Sequence, residues 1–227
     1  MAVDDSCLRG NNKKQKFFDI PVCFDIETSS FYKSGDNYLS YEQYVKLGVK
    51  LEKCSCMYVW QFGINGYCIV GRTWEEFTEM METISDYLQL SENRRLVVYV
   101  HNLAYEFQFI RNRFTWNKVF SIDLRKPIYA ITESGIEFRC SYLLSGYSLA
   151  KLGGQLMKYK CEKMVGDLDY SLLRHSKTPL TEKEMGYCLN DVKVVMCYIQ
   201  EMIERYKGIT HLPITKTGFV RKYCRKH

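Results

Sequence analysis

Two acidic side chains interrupt an apolar stretch near the start of the chain. The stretch PVCFDIETSSF covers residues 21–31 and places Asp25 and Glu27 one residue apart. Because side chains of an extended strand alternate between faces, both carboxylates point to one side and the apolar residues between them to the other. Two adjacent negative charges repel, and burying them is unfavourable unless a cation compensates. The pair therefore indicates either a divalent-cation site or an ordinary solvated strand face of alternating acidic and apolar residues.

Three residues further along the chain extend this pattern. Glu106 lies in the first turn of a predicted helix after the apolar run LVVYVHN, where an acid also stabilises the helix dipole. Tyr187 and Asp191 are four residues apart on another predicted helix and share a face. Each has an ordinary structural explanation when taken alone. Together, four carboxylates are hard oxygen ligands that suit Mg²⁺ or Mn²⁺, and two such ions about 4 Å apart promote attack of water on a phosphodiester.

The apolar pattern predicts the elements that must position these residues. Strands are predicted at about 17–28, 55–64, 66–71, 117–122, 127–132 and 136–142, and the continuous run RRLVVYVHN predicts a buried central strand. Helices are predicted over TWEEFTEMMETISDYLQL, over AYEFQFIRNRF, near 147–157, and over a long segment that begins after Thr181. Asn65-Gly66 predicts a hairpin turn. This order of elements predicts an α/β domain with a mixed sheet flanked by helices.

Composition excludes several classes of protein. The 227 residues, 46% of them hydrophobic, suffice for one large domain or two small ones. A net charge of +6 allows an anionic partner without requiring one. The 10 cysteines include no C-x-x-C pair, which argues against structural zinc and fits a reducing compartment. No signal peptide or membrane-spanning run is present, so we expect a cytoplasmic protein without a membrane partner.

Three short motifs resemble the Exo I, Exo II and Exo III motifs of DEDDy-type 3′–5′ exonucleases, in the form found in family B DNA polymerases. They are FDIET at 24–28, NLAYE at 102–106 and YCLND at 187–191. In addition, CSYLLSGYSLAKL at 140–152, followed by GDLDY at 166–170, resembles the N-terminal exonuclease domain of protein-primed phage polymerases. The resemblance covers most of residues 17–205 and implies a ribonuclease-H-like fold.

The resemblance implies a role for particular residues and two Mg²⁺ or Mn²⁺ ions as cofactors. The implied metal ligands are Asp25, Glu27, Glu106 and Asp191, and with Tyr187, which would orient the attacking water, they form the catalytic set. The residues that match positions holding the single-stranded DNA 3′ end are Thr28, Asn102, Tyr105, Ser141 and, where the family usually has Leu, Tyr142.

Two positions depart from the family pattern. Exo II normally ends in Asp, whereas Glu106 keeps the carboxylate but reaches one methylene further. The phage enzymes usually carry a Lys directly before GDxDY, where this chain has Val165, which cannot assist phosphate hydrolysis. Lys163, two residues earlier, is the candidate to replace that lysine at the substrate. We therefore expect a turnover slower than the family norm.

The expected organisation is a disordered basic tail over 1–15, an exonuclease domain over 16–210, and a linker or the start of a polymerase domain over 211–227. Polymerase motifs of the family are absent, so the chain is expected to be a fragment that cannot polymerise. The resemblance implies a C-terminal polymerase domain and a priming terminal protein as partners, and the bacterial host cytoplasm if the chain is phage-encoded. Three alternatives stay open: an exoribonuclease of the same type, a catalytically weakened module that binds single-stranded DNA, and a structural α/β domain, which would leave all four acids unexplained.

Overall fold

The computed structural model describes residues 3–11, 13–164 and 172–225. The strands among these residues are β1 Leu8–Gly10, β2 Lys16–Phe18, β3 Val22–Ser34, β4 Asn37–Leu39, β5 Glu52–Ile64, β6 Tyr67–Gly71, β7 Arg94–Val100, β8 Trp116–Asp123, β9 Lys126–Thr132 and β10 Ile136–Cys140. The helices are α1 Tyr41–Leu47, α2 Trp74–Tyr87, α3 Leu103–Ile110, α4 Ser141–Ser145, α5 Leu149–Gly153, α6 Glu182–Tyr206 and α7 Lys216–Cys224. Within the described ranges, no helix is long and apolar enough to span a bilayer.

A mixed sheet organises the chain. Its main strand order is β6-β5-β3-β7-β10-β9-β8, with β4 paired to β3, and β2 paired to β7 and to β1. β7 is parallel to β3, β10 and β2, and the other pairs are antiparallel. The predicted mixed sheet is therefore confirmed, with the apolar run of β7 in its centre.

Different helices cover the two faces of this sheet. Phe24 of β3 points to the face covered by α2 and α3 and stacks on Phe77, with ring centroids 4.5 Å apart. Cys23 points to the opposite face, where its thiol donates a 3.1 Å hydrogen bond to the carbonyl of Val192 on α6. Burial of each large apolar side chain stabilises the fold by about 1.5–3 kcal/mol. The alternation of β3 thus places Asp25 and Glu27 beneath α6.

Local signals in the sequence mark several element ends correctly. The Thr73–Glu76 and Thr181–Glu184 capping boxes form at the start of α2 and α6, each satisfying backbone N–H groups of the first turn. Asn65, with φ of 47°, and the following glycine, with φ of 90°, connect β5 to β6. Both values match the turn that a two-residue hairpin requires.

The N-terminal residues differ from the expected disordered tail. Among those described, Asp5–Cys7 form a 3-10 turn and β1 pairs antiparallel with β2. Arg94 forms a 2.6 Å ion pair with Asp5, and Arg9 lies 3.5 Å from Asp19. Pairing with the next strand and an ion pair to a residue distant in sequence therefore order a segment whose own composition is polar.

The segment after the first acidic motif also differs from expectation. β3 continues to Ser34 instead of ending near residue 28, and β5 begins at Glu52. Between them, β4 and α1 complete an extension in which Tyr32 stacks on Tyr44 with ring centroids 3.8 Å apart. Near 147–157 the predicted helix is only the five residues of α5, preceded by α4.

Candidate active site

Three carboxylates meet between β3 and α6. Asp25 and Glu27 lie on the α6 side of β3, and Asp191 lies on the sheet side of α6. One carboxylate oxygen from each of the three lies within 4.8 Å of the others. Glu27 and Asp191 are each 8% exposed, so the charges have little access to water. The strand period and the helix period thus bring together residues far apart in sequence, as their spacing predicts.

The pKa values of the three carboxyl groups show that the cluster lacks compensating positive charge. Burial, followed by the charge of Asp191, raises the pKa of Asp25 from 3.8 to about 7, although the Lys163 charge opposes the shift. Burial and the charge of Asp25 raise the pKa of Glu27 from 4.5 to about 8. Burial also raises the pKa of Asp191. A bound divalent cation would offset both the cost of burying these charges and the repulsion between them.

Glu106 is not among the three carboxylates whose oxygens lie within 4.8 Å of one another, but the charges of Asp25 and Glu27 act on it. It lies in the first turn of α3, directly after β7, and is 5% exposed. Burial and the charge of Asp25 raise its pKa well above 4.5. Among the described residues, Glu106 Oε2 and Asp191 Oδ1 are buried without a hydrogen-bond partner. Such unpaired oxygens fit coordination of a hard cation, so the donor set suits Mg²⁺ or Mn²⁺.

A lysine from outside the regular elements enters the cluster. Lys163 Nζ lies 2.8 Å from Asp191 Oδ2 and 5.2 Å from the ring centroid of Tyr187, one turn earlier on α6. The neighbouring Asn190 holds this segment in place. Its amide donates to the carbonyl of Glu162 over 3.0 Å, and its carbonyl accepts from the Met164 N–H over 2.7 Å. Val165 and the GDLDY motif lie outside the described residues.

The residues predicted to hold a DNA end differ in their exposure and contacts. The hydroxyl groups of Thr28 and Tyr105 share a 2.5 Å hydrogen bond. The rings of Tyr105 and Tyr142 are 41% and 47% exposed, so their faces are accessible to a flat ligand. Asn102 is exposed at the start of α3, and its side chain makes no capping hydrogen bond. Ser141 is fully buried, so the structure gives it a supporting position.

Sequence reasoning assigned no role to three residues that support the cluster. His101 Nδ1 lies 3.1 Å from Ser141 Oγ, and burial together with the Lys163 charge lowers the pKa of His101 to about 4. Gln61 is fully buried and lies directly opposite Asp25 in the β3–β5 ladder. Arg174 donates to Glu184 over 2.8 Å, and its charge also acts on Glu27. In the sequence, Gln61 can be recognised as a polar residue within an otherwise apolar strand.

The mixed sheet with helices on both faces is a ribonuclease-H-like fold, and the acidic cluster lies between the first half of β3 and α6. Solved structures of Phi29 DNA polymerase are similar to this fold. The complex with single-stranded DNA matches with a TM-score of 0.57 and 14% identity, covering 82% of this chain and 32% of that chain. The post-translocation complex with primer-template DNA matches with a TM-score of 0.58 and 14% identity, covering 85% and 31%. This chain thus spans about a third of the polymerase's length. No family model and no curated protein matches the sequence.

Proposed function

We propose that this chain is the 3′–5′ exonuclease domain of a phage-type family B DNA polymerase, and that it removes nucleotides from DNA 3′ ends with two Mg²⁺ or Mn²⁺ ions. The observation that carries the proposal is the cluster of Asp25, Glu27 and Asp191 within 4.8 Å, on the fold shared with Phi29 DNA polymerase. A buried set of carboxylates beside a lysine suits a reaction in which metal and phosphate meet.

Different residues of the chain would have different roles in this reaction. Divalent cations, when bound, lower the pKa of water and stabilise charge on the leaving oxygen. Asp25, Glu27 and Asp191 would hold them, and Glu106 would be a fourth ligand, supported by the effect of the Asp25 and Glu27 charges on its carboxyl group. Tyr187 would orient the attacking water through its hydroxyl. Lys163, already beside Asp191, would contact the phosphate that is cleaved.

Two exposed tyrosine side chains would select the DNA end. Tyr105 and Tyr142 offer ring faces on which unstacked terminal bases can rest, and such stacking tolerates any base. Frayed or mismatched ends reach a site of this kind more readily than paired ends do, which suits proofreading. Since phosphates supply much of the affinity, binding should weaken as salt is raised.

The proposal extends to a longer protein. Residues 16–210 would be the exonuclease domain, and 211–227 would lead into a polymerase domain. Its support is that the similarity to Phi29 DNA polymerase spans about a third of that chain. A polymerase domain and a priming terminal protein are the corresponding proposed partners.

Degradation of a 5′-labelled single-stranded DNA oligonucleotide tests the activity. The wild-type chain should produce a ladder that shortens from the 3′ end with Mn²⁺ or Mg²⁺ and stops with EDTA. The Asp25→Ala/Glu27→Ala variant should produce none. A folded wild-type chain that binds the oligonucleotide but leaves it intact would contradict the proposal and favour a binding module. Faster cleavage of an RNA oligonucleotide of equal length would instead assign the site to RNA.

A pair of lysine variants tests the proposed phosphate contact. Lys163→Ala should slow cleavage by about tenfold or more, because it removes a charged hydrogen bond to phosphate. Lys160→Ala is the matched control, since Lys160 is an exposed lysine of the same segment. Equal rates for the two variants would remove Lys163 from the mechanism.

A further inference from the structure

A second charged cavity lies on the α6 side of the sheet, beyond the strands that α6 covers. α6 packs on β3, β5 and β6, whereas this cavity is formed mainly by β8, β9 and β10 with the N-terminal segment. Its volume is about 420 Å³, within the range of small-ligand sites. It shares no lining residue with the carboxylate cluster.

Two arginines and one glutamate form the floor of this cavity. Arg95 Nη1 lies 3.1 Å from Glu137 Oε2, and Arg139 Nη2 lies 2.8 Å from Glu137 Oε1. The three residues are only 3–8% exposed. Burial opposes ionisation of Glu137, but the guanidinium groups of Arg139 and Arg95 outweigh it and lower its pKa, so its carboxylate stays charged. One negative charge is therefore shared between two buried positive charges.

The other charged residues that line the cavity leave it with a net positive charge. Four basic and two acidic side chains line it, the additional ones being Lys13, Lys118 and Glu92. Among the described residues, the Glu92 carboxylate forms no ion pair. Arg95 Nε donates instead to the backbone carbonyl of Glu92, over 2.7 Å. Buried cations are normally paired, and an excess of positive charge in a recess favours an anion.

The donors and the walls indicate which anion fits. Arg95 uses Nε and Nη1 in the contacts above, and among the described residues Nη2 makes no hydrogen bond. A guanidinium group donates to phosphate and carboxylate oxygens alike, but a phosphate offers more acceptor oxygens and more charge to the surrounding basic side chains. Tyr129 and Phe17 add aromatic walls, and the Lys118 ammonium lies 5.7 Å from the Tyr129 ring centroid.

We infer that this cavity binds a phosphate group, carried either by a free nucleotide or by the backbone of a nucleic-acid strand. Arg95 and Arg139 form the charged floor, and Lys118 closes the rim. The inference goes beyond the proposed nuclease site, because it needs neither the carboxylate cluster nor a metal ion.

Calorimetric titration of the Asp25→Asn/Glu27→Gln variant in EDTA tests the inference with the nuclease site disabled. The probes are inorganic phosphate, a deoxynucleoside monophosphate and a short single-stranded oligonucleotide. Arg95→Lys, added to that background, keeps the charge but removes the unpaired Nη2 donor and should weaken binding about tenfold. Lys118→Ala should weaken it about threefold, since Lys118 is exposed at the rim. Lys126→Ala, on the same β8–β9 hairpin but outside the cavity, should leave it unchanged.

The probes also separate the two sources of phosphate. Comparable affinity for the mononucleotide and the oligonucleotide supports a nucleotide pocket, whereas clearly tighter binding of the oligonucleotide that is lost in Lys118→Ala supports a strand contact at this cavity. Two results would overturn the inference. One is the absence of saturable binding for all three probes. The other is an equal loss of affinity in Lys118→Ala and Lys126→Ala, which would show diffuse surface charge instead of a site.

Discussion

Replacing Asp25 by Asn and Glu27 by Gln should stabilise the metal-free fold at neutral and mildly alkaline pH. In the wild-type protein these carboxyl groups lie beside Asp191 and share too little compensating charge. The substitutions keep the shape of both side chains and remove their negative charges. The residues proposed to carry the reaction would thus lower the stability of the fold whenever no cation is bound.

The pKa values of Asp25 and Glu27 determine the sign and size of the change in the free energy of unfolding with pH. The pKa of Asp25 is about 7 in the folded protein against 3.8 ordinarily, and that of Glu27 about 8 against 4.5. The folded state therefore binds more protons than the unfolded state in this window, so the free energy of unfolding falls as pH rises from about 4 to about 8. For Asp25 the difference corresponds to about 4 kcal/mol. Because the carboxyl groups influence one another, their contributions do not add, and we expect a total of this order.

Thermal unfolding checks this reasoning directly. In EDTA, the wild-type Tm should be roughly 10 °C lower near pH 8 than near pH 5, given the size of the domain. Mn²⁺ at the higher pH should recover most of that loss, because a ligand that binds only the folded state stabilises it. The double variant should show a much smaller loss and little recovery, because only Glu106 and Asp191 keep raised pKa values in it. A wild-type Tm that is independent of pH, or a variant that keeps the full wild-type pH dependence, would refute the electrostatic account.

Three further outcomes follow from other contacts. Phe77→Ala should lower the free energy of unfolding by about 3–5 kcal/mol in chemical denaturation, because Phe77 is fully buried against Phe24; a loss below about 1 kcal/mol would contradict that packing. Tyr105→Ala should weaken binding of a single-stranded oligonucleotide about tenfold, measured by fluorescence anisotropy, through loss of a stacking surface, whereas Tyr105→Phe should retain most of it. Asn190→Ala should slow cleavage about tenfold without changing Mn²⁺ affinity, because it releases the segment that carries Lys163; an unchanged rate would show that this segment needs no such support.

Local patterns in the sequence predicted much of the fold. Capping boxes, the Asn65-Gly66 turn and the apolar run of β7 depend on neighbouring residues, so they can be recognised without the tertiary structure. The end of β3 could not be recognised in this way. The polar Thr28-Ser29-Ser30 run indicates a strand end, yet pairing with β5 and the stacking of Tyr32 on Tyr44 extend the strand to Ser34.

The candidate site was predictable in part for the same reason. The period of a strand places Asp25 and Glu27 on one face, and the period of a helix places Tyr187 and Asp191 on another. Lys163 has no such period to follow, because residues 161–164 are neither helix nor strand. Its position depends on hydrogen bonds from Asn190, a contact between distant segments. The buried Arg95–Glu137–Arg139 group likewise exists only because β7 and β10 pair in parallel.

The three carboxylates come from opposite ends of the chain, and this separation has a consequence during protein synthesis. Asp25 and Glu27 leave the ribosome early, but Asp191 lies on α6, the last long helix. At the usual rate of translation, the interval between them is on the order of ten seconds or more. Throughout that time the nascent chain holds only part of the cluster. A nuclease built in this way would stay inactive until its own domain is almost complete.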